Sequence, residues 1–334
     1  MDKKEIISWL HESSSGTLSR LFREADICRH RYVGDFVHVR GVIEFSNYCS
    51  KNCLYCGLRR SNNRVHRYRL SLPEIYACAE QAKKLRIPTV VLQSGEDPGY
   101  SIKDLCLLVA KIKKRGLTVT VSIGERSFFD YRQLKEAGAD RYLLRFETSN
   151  ALLYRRLKPD SSLKKRITCI MDLKKLGYET GSGSMVGLPG QSIGSLASDI
   201  LLFAELGLDM IGIGPFIPHP DTPLAKAGKG SSEMVLKAVA LTRLVTKDTN
   251  IPATTALGTI DTQGRQKALC CGANVIMPNL TPREYRVLYQ IYPDKICISE
   301  DSLKCRQCVE AMVTGVGRKI ARGPGNRRVQ RIVK

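Results

Sequence analysis

Three cysteines stand within eight residues, Cys49, Cys53 and Cys56, in the spacing C-x3-C-x2-C. Thiolates packed so closely on one loop are better suited to hold a metal than to sit as unrelated thiols. Structural zinc takes four ligands, and no fourth cysteine lies nearby in the chain. An iron–sulfur cube held by four thiolates is closed to other ligands. Held by three, it keeps one iron open, and an open iron can take a substrate or cofactor directly. The apolar residues Val39, Val42, Ile43 and Phe45 just upstream read as a buried strand that delivers this loop.

A second set, Cys297, Cys305 and Cys308, follows the spacing C-x7-C-x2-C near the end of the chain. It suits a second cluster, a zinc with a fourth ligand from elsewhere, or reduced thiols. Cys28, Cys78, Cys106, Cys169, Cys270 and Cys271 fall mostly in helical patterns, where buried packing is the expected role.

A scaffold must position these groups. Residues 3–31 read as two helices, with Ile6, Ile7 and Leu10 on one apolar stripe and Leu18, Leu21, Phe22 and Ala25 on another. From residue 38 strand and helix alternate. Strands are expected near 39–45, 88–93, 117–123, 140–145, 178–184, 209–214, 252–257 and 273–277. Helices are expected near 73–86, 101–115, 129–137, 149–156, 162–176, 192–206, 231–247 and 264–271. Ser71 with Glu74 and Ser101 with Asp104 have capping-box spacing, and Gly116, Gly138, Gly177 and Gly207 each follow a helical pattern. Eight such units predict an α/β fold, a (β/α)8 TIM barrel, with an open doubly wound sheet as the alternative. The expected organisation is an N-terminal helical cap (1–37), a barrel (38–290), an auxiliary cysteine region (291–314) and a basic tail (315–334).

A barrel places chemistry at the C-terminal ends of its strands. Those ends carry the cysteine loop, residues 93–97, 122–125, 145–148 and 181–191, His219 among prolines, Thr254 and Thr255, and residues 277–279.

Net charge is +21 over 334 residues, which favours anionic ligands or acidic partners. Aromatics are 7% and are not interleaved with the basic segments, so base stacking on nucleic acid is not expected. The tail carries Arg318, Lys319, Arg322, Arg327, Arg328, Arg331 and Lys334 and no acid, and reads as a solvated segment or a dock for an acidic protein surface. Neither a signal peptide nor a membrane span is legible. Twelve cysteines, some in metal-like spacing, suit a reducing, cytoplasmic setting.

A strand ending in this loop, with Tyr55 before the last cysteine, resembles the signature of radical S-adenosylmethionine (SAM) enzymes. Residues 44–47, 49–60, 93–98, 137–145, 181–191, 212–223 and 271–279 are similar to the HydE family, radical SAM maturases of [FeFe] hydrogenase, within a likeness spanning about 38–310. Biotin synthase and methylornithine synthase are less similar in these loops. The resemblance implies a radical-SAM barrel that is a cytoplasmic, metal-binding transferase. Cys49, Cys53 and Cys56 would hold a 4Fe–4S cluster that reductively cleaves SAM to methionine and a 5′-deoxyadenosyl radical.

The same resemblance assigns the pocket. Ser94 and Glu147 would meet the SAM ammonium, Arg166 its carboxylate, Gly95 and Glu96 a second-strand turn, and Tyr55, Met185 and Gly187 the adenosine. Arg145, Thr254 and Thr255 would face the substrate, a small anionic iron–cysteine complex carrying carbon monoxide and cyanide. A partner maturase would deliver that complex and an electron donor would supply reductant. Cys297, Cys305 and Cys308 would hold a second Fe–S cluster. Where the family carries His this chain has Phe146, and a cavity-lining His bonds and titrates whereas Phe does neither. That departure raises the alternative of a HydE-like radical SAM enzyme with a different small-molecule substrate. A third reading, a basic iron–sulfur protein that binds nucleic acid or a partner without turnover, leaves Glu147 and Arg166 without a role.

Overall fold

A computed structural model describes residues 1–327 of the chain. Two helices, α1 (Lys3–His11) and α2 (Ser15–Val33), precede β1 (Phe36–Ser46). Then come α3 (Leu72–Lys84), β2 (Thr89–Ser94), α4 (Ile102–Lys113), β3 (Thr118–Ser122), α5 (Phe128–Glu136) and β4 (Arg141–Leu143). Next are α6 (Ala151–Leu157), α7 (Leu163–Lys175), β5 (Glu179–Val186), α8 (Ile193–Glu205), β6 (Met210–Pro215) and α9 (Ser232–Thr246). The rest comprises α10 (Thr255–Ile260), α11 (Gly264–Leu269), β7 (Val275–Ile276), α12 (Arg283–Arg286), α13 (Ser302–Gly315) and β8 (Lys319–Ile320). Helix starts obey the caps read from sequence: Ser71 and Glu74 bond reciprocally, and Ser101 accepts from Asp104 N. No helix among the described residues is long and apolar enough to cross a membrane.

The strands form one parallel sheet in the order β6-β5-β4-β3-β2-β1-β7, with β8 also on β1. Parallel bridges Met210–Asn250 and Pro252–Val275 join the two ends, so the sheet curls into a barrel. Side chains alternate along each strand. Val91 and Gln93 on β2 and Thr120 and Ser122 on β3 line an interior cavity. Their neighbours Val90, Leu92, Val119 and Val121 belong to the main hydrophobic core.

Three expectations need correction. The strand expected at 252–257 is an extended segment with one bridge at Asn250 and one at Pro252. Pro252 has no N–H for a ladder, and the Thr254 side chain accepts from Leu257 N and starts α10. Secondly, the N-terminal helices do not cap the barrel: they pack against the outer helices α8 and α9. Lys237 of α9 donates to the Leu10 carbonyl, 3.3 Å away, near the end of α1.

The third correction is the tail. Pro324 O accepts from Thr89 Oγ1 at 3.2 Å and Arg141 at 3.1 Å, and Gly325 O accepts from Arg40 at 3.1 Å and Asn250 at 3.0 Å. Arg318 is buried and donates to Leu269 O and Ala273 O, while Arg327 pairs with Asp248 at 2.7 Å and Asp209 at 3.3 Å. Arg40 and Arg141 are fully interior, and burial with the nearby Arg141 charge pushes Arg40 down to about 9. Buried guanidinium groups need acceptors, and the tail's carbonyls supply them. Residues 318–327 thus form a floor to the barrel, anchored through Arg318, Pro324, Gly325 and Arg327 while Lys319, Arg322 and Asn326 stay exposed; Arg328, Arg331 and Lys334 lie outside the described residues.

Candidate active site

At the C-terminal end of the strands a cavity of about 360 Å³ reaches down to Arg40 and Thr120. Cys49, Cys53 and Cys56 line it. Their loop follows β1 without regular structure, so backbone bonds to three distant segments hold it. Ser50 N donates to Glu96 O at 2.9 Å, Leu54 N to Leu157 O at 2.9 Å and Gly57 N to Ile291 O at 3.1 Å. At Gly95 a Cβ would lie 2.2 Å from Tyr48 O, so only glycine lets the second strand's turn approach the loop so closely.

Does the donor set fit an iron–sulfur cube? Burial raises the Cys56 thiol well above its usual range, and Cys53 and Cys49 raise it further. Burial raises Cys49 too. Cys49 and Cys56 therefore favour the neutral thiol until a cationic metal binds and releases their protons. Among the described residues no three Cys, His or acid side chains converge tightly enough for a single ion. Cube irons occupy separate corners, so their thiolates stand wider apart than ligands of one ion. The loop suits a cluster better than zinc.

A chain of charges shares the cavity with the loop. Glu147 has φ of +69°, a left-handed conformation rare outside glycine, fixed by bonds to Gly183 O and from Met185 N. Its carboxylate pairs with Arg145 at 2.9 Å. Arg166 is 3% exposed and bonds Glu125 at 3.0 Å, Tyr154 Oη at 3.2 Å and Glu96 at 3.5 Å. Burial opposes its charge, but Tyr154, Glu125 and Glu96 outweigh burial and hold it protonated. Ser94 and Glu96 also line the cavity, and Lys51 stands 3.6 Å from Glu96. Glu125, three residues past β3, holds Arg166 from behind the cavity wall, and no role was expected for it. A carboxylate shortly after the strand was its only signal.

Tyr55 and Met185 pack with Leu153, Leu157, Leu188 and Phe216 in a small apolar cluster beside the cavity. Gly187 is not on the cavity wall; its φ of +85° turns the loop where a Cβ would meet Gly230 Cα at 2.5 Å. Asp199, fully buried, ties this loop to the Glu147 segment. It accepts from Ser149 N and Oγ at 2.6 Å and from Gln191 Nε2 at 3.3 Å, and Gln191 in turn holds Met185 O and Gly187 N. Burial pushes Asp199 up from 3.8 to about 7, against those hydrogen bonds. With its folded value raised, its contribution to stability is complete below pH 3.8 and is lost as pH rises through 7. Asp199→Asn is expected to flatten that decline, by at most about 1.4 kcal/mol per pH unit, in urea unfolding at acid and alkaline pH. An unchanged pH slope would show an ordinary carboxyl.

Arg145 and Thr254 line the cavity as expected; Thr255 does not, and Ala256 takes its place on the wall. Thr255 is the first residue of α10, turned away by the cap at Thr254. Phe146 is fully buried against Phe203, with ring centroids 5.4 Å apart, and is absent from the cavity wall. Strand-like alternation sends Arg145 and Glu147 inward and Phe146 out. The Phe-for-His departure is therefore a packing change.

Tyr289, Ile291 and Tyr292, from the segment after α12, also line the cavity. Buried Lys295 pairs with buried Glu44, whose other oxygen accepts from Asn279 at 2.7 Å, fixing this segment to β1. Sequence reasoning missed the pair because 251 residues separate its members. His219 is a scaffold: its Nδ1 accepts from Asp221 N, and burial lowers its proton affinity. Cys297 lies beside Cys305, whose hydrogen bond lowers it to about 6. Cys78, Cys169 and Cys271 are buried and Cys28 and Cys106 partly so, but Cys270 is exposed.

A family profile for the radical SAM superfamily matches residues 43–200. The chain is 56% identical over 308 residues to the [FeFe] hydrogenase maturase subunit HydE of Thermotoga maritima, covering 92% of this chain and 88% of that protein. It is 30% identical over 275 residues to 3-methylornithine synthase of Methanosarcina acetivorans, covering 81% and 77%. In three dimensions it superposes on methylornithine synthase (PylB) with a TM-score of 0.83 and 27% identity, over 96% of this chain and 94% of that one.

Proposed function

We propose, from the premise that the chain belongs to the radical SAM superfamily and within it to the HydE maturases of [FeFe] hydrogenase, that the barrel cavity is where S-adenosylmethionine is bound and cleaved. The observation that carries the assignment is the three-thiol loop opening onto an interior cavity that Glu147 and Arg166 also line. Cys49, Cys53 and Cys56 hold the 4Fe–4S cluster. When bound, cluster and SAM together supply one-electron cleavage of the sulfonium to methionine and a 5′-deoxyadenosyl radical.

The protein's share is binding, orientation and exclusion of water. Ser94 and Glu147 take the ammonium, and Arg166 offers a guanidinium to the carboxylate. Gly95 and Glu96 form the turn beneath, and Tyr55, Met185 and Gly187 shape the adenosine side. Arg145 and Thr254 give an anionic substrate a cation and a hydroxyl deeper in the cavity, with Thr255 behind them. The class of substrate is a small anionic iron–cysteine complex, supplied by a partner maturase, with an electron donor as further partner. All twelve cysteines are free, in keeping with a reducing cytoplasm. Because Phe146 is remote from the cavity, nothing at that position argues for a different substrate. Anaerobically reconstituted, reduced protein should convert SAM to 5′-deoxyadenosine; absence of that product from cluster-loaded protein overturns the assignment.

A second metal site on Cys297, Cys305 and Cys308 is supported by the paired thiols Cys297 and Cys305, with Cys308 one helical turn beyond on α13. Cys305→Ala with Cys308→Ala should lose iron yet keep SAM cleavage, because these residues are not on the cavity wall. Iron analysis beside a product assay checks this. Loss of cleavage in a folded, cluster-bearing double variant would make the second set catalytic.

A further inference from the structure

Lys158 follows α6 as its C-cap, and its backbone N–H donates to Tyr154 O. It is 8% exposed, yet lines the active cavity beside Cys53 and Cys56. It also lines a small recess with Lys51, Cys53, Asp160, Ser161 and Arg166, where the Asp160 carboxylate accepts from Asn52 N and pairs with Arg60 at 3.8 Å. Among the described residues no carboxylate or carbonyl takes a bond from Nζ, which stands over the Tyr154 ring, 5.4 Å from its centre. Nearby cations are engaged: Lys51 with Glu96, Arg166 with Glu125 and Arg145 with Glu147. Withdrawing an ammonium from water without a counter-ion costs several kcal/mol. The bond from Leu54 N to Leu157 O fastens the end of α6 to the cysteine loop, so backbone fixes the position of Lys158.

We propose that Lys158 is the counter-cation of the three-thiolate cluster and tunes its redox potential by stabilising the reduced form. The proposal rests on the reading that Cys49, Cys53 and Cys56 carry that cluster. Reduction adds one electron to a site already made negative by thiolates, and a desolvated cation beside it favours the more negative state.

The test is potentiometric titration of anaerobically loaded protein, followed by electron paramagnetic resonance without SAM. Lys158→Met should lower the reduced-to-oxidised ratio at fixed potential about tenfold, a shift of about 59 mV to more negative values for one electron. Lys158→Arg should stay within about threefold of the parent. An unshifted Lys158→Met protein overturns the proposal, as does Lys158→Arg shifting equally far, since then shape matters and not charge. If Lys158→Met binds no iron while Lys158→Arg loads normally, a charge requirement is supported; failure of both overturns it. Weakened SAM affinity with an unshifted potential also overturns it, by assigning the ammonium to the SAM carboxylate. Failure of the parent chain to load would defeat the cluster reading instead.

Discussion

Cys53→Ala is expected to reduce SAM cleavage to background and to abolish the 4Fe–4S absorbance of reconstituted protein. The loop should survive the change, because backbone bonds from Ser50, Leu54 and Gly57 to three other segments hold its path. Two thiolates remain, which leaves two irons of a cube without protein ligands. Cys49→Ala and Cys56→Ala should behave alike. The check is anaerobic iron and sulfide analysis with a 5′-deoxyadenosine assay. Retained cleavage in Cys53→Ala protein would sink the cluster assignment.

Arg166→Ala should weaken SAM binding about ten- to a thousand-fold, from a few kcal/mol lost when a desolvated charge pair loses one member. The structure adds a second effect. Glu125 and Glu96 both face Arg166, and without it two largely buried carboxylates stand less compensated. Breaking such a group by removing one partner costs about 3–5 kcal/mol of stability, so the urea midpoint should fall together with affinity. Arg166→Lys keeps the charge but not the planar fork and should fall between. Titration calorimetry on cluster-loaded protein separates the two, because the folded fraction is measured independently. Wild-type affinity in folded Arg166→Ala protein would show the guanidinium to be purely a scaffold for the two glutamates.

The cysteine triad was legible because cluster ligation demands local spacing, and spacing is what a sequence displays directly. Strands β1 to β6 were legible because each joins an apolar run to a turn signal. The 252–257 segment misled because Thr254 and Thr255 carry β-propensity, whereas the Thr254 hydroxyl is used as a helix cap. Phe146 misled because a motif does not say which face of the chain a residue occupies. The tail misled through composition: seven basic residues suggest solvation, but Arg318 and Arg327 find carbonyls and carboxylates far away in sequence. Lys158 had no signature at all, being an ordinary lysine until α6 is docked against the cysteine loop.

The barrel floor has a consequence for how the chain is made. Strand β1 is bonded on one side to β2, which leaves the ribosome soon after it. On its other side it awaits residues 275–276 and 319–320, which follow it in the chain by more than about two hundred residues. At roughly 5–20 residues per second this edge stays open for about ten seconds to a minute. Throughout that interval the nascent chain presents an unpaired apolar strand, and Arg40 has no carbonyl from Gly325. Slow parallel pairing of this kind exposes a chain to aggregation. The cysteine loop at the end of β1 is translated early, but the strand that carries it gains its second neighbours only when residues 275–276 and 319–320 have emerged.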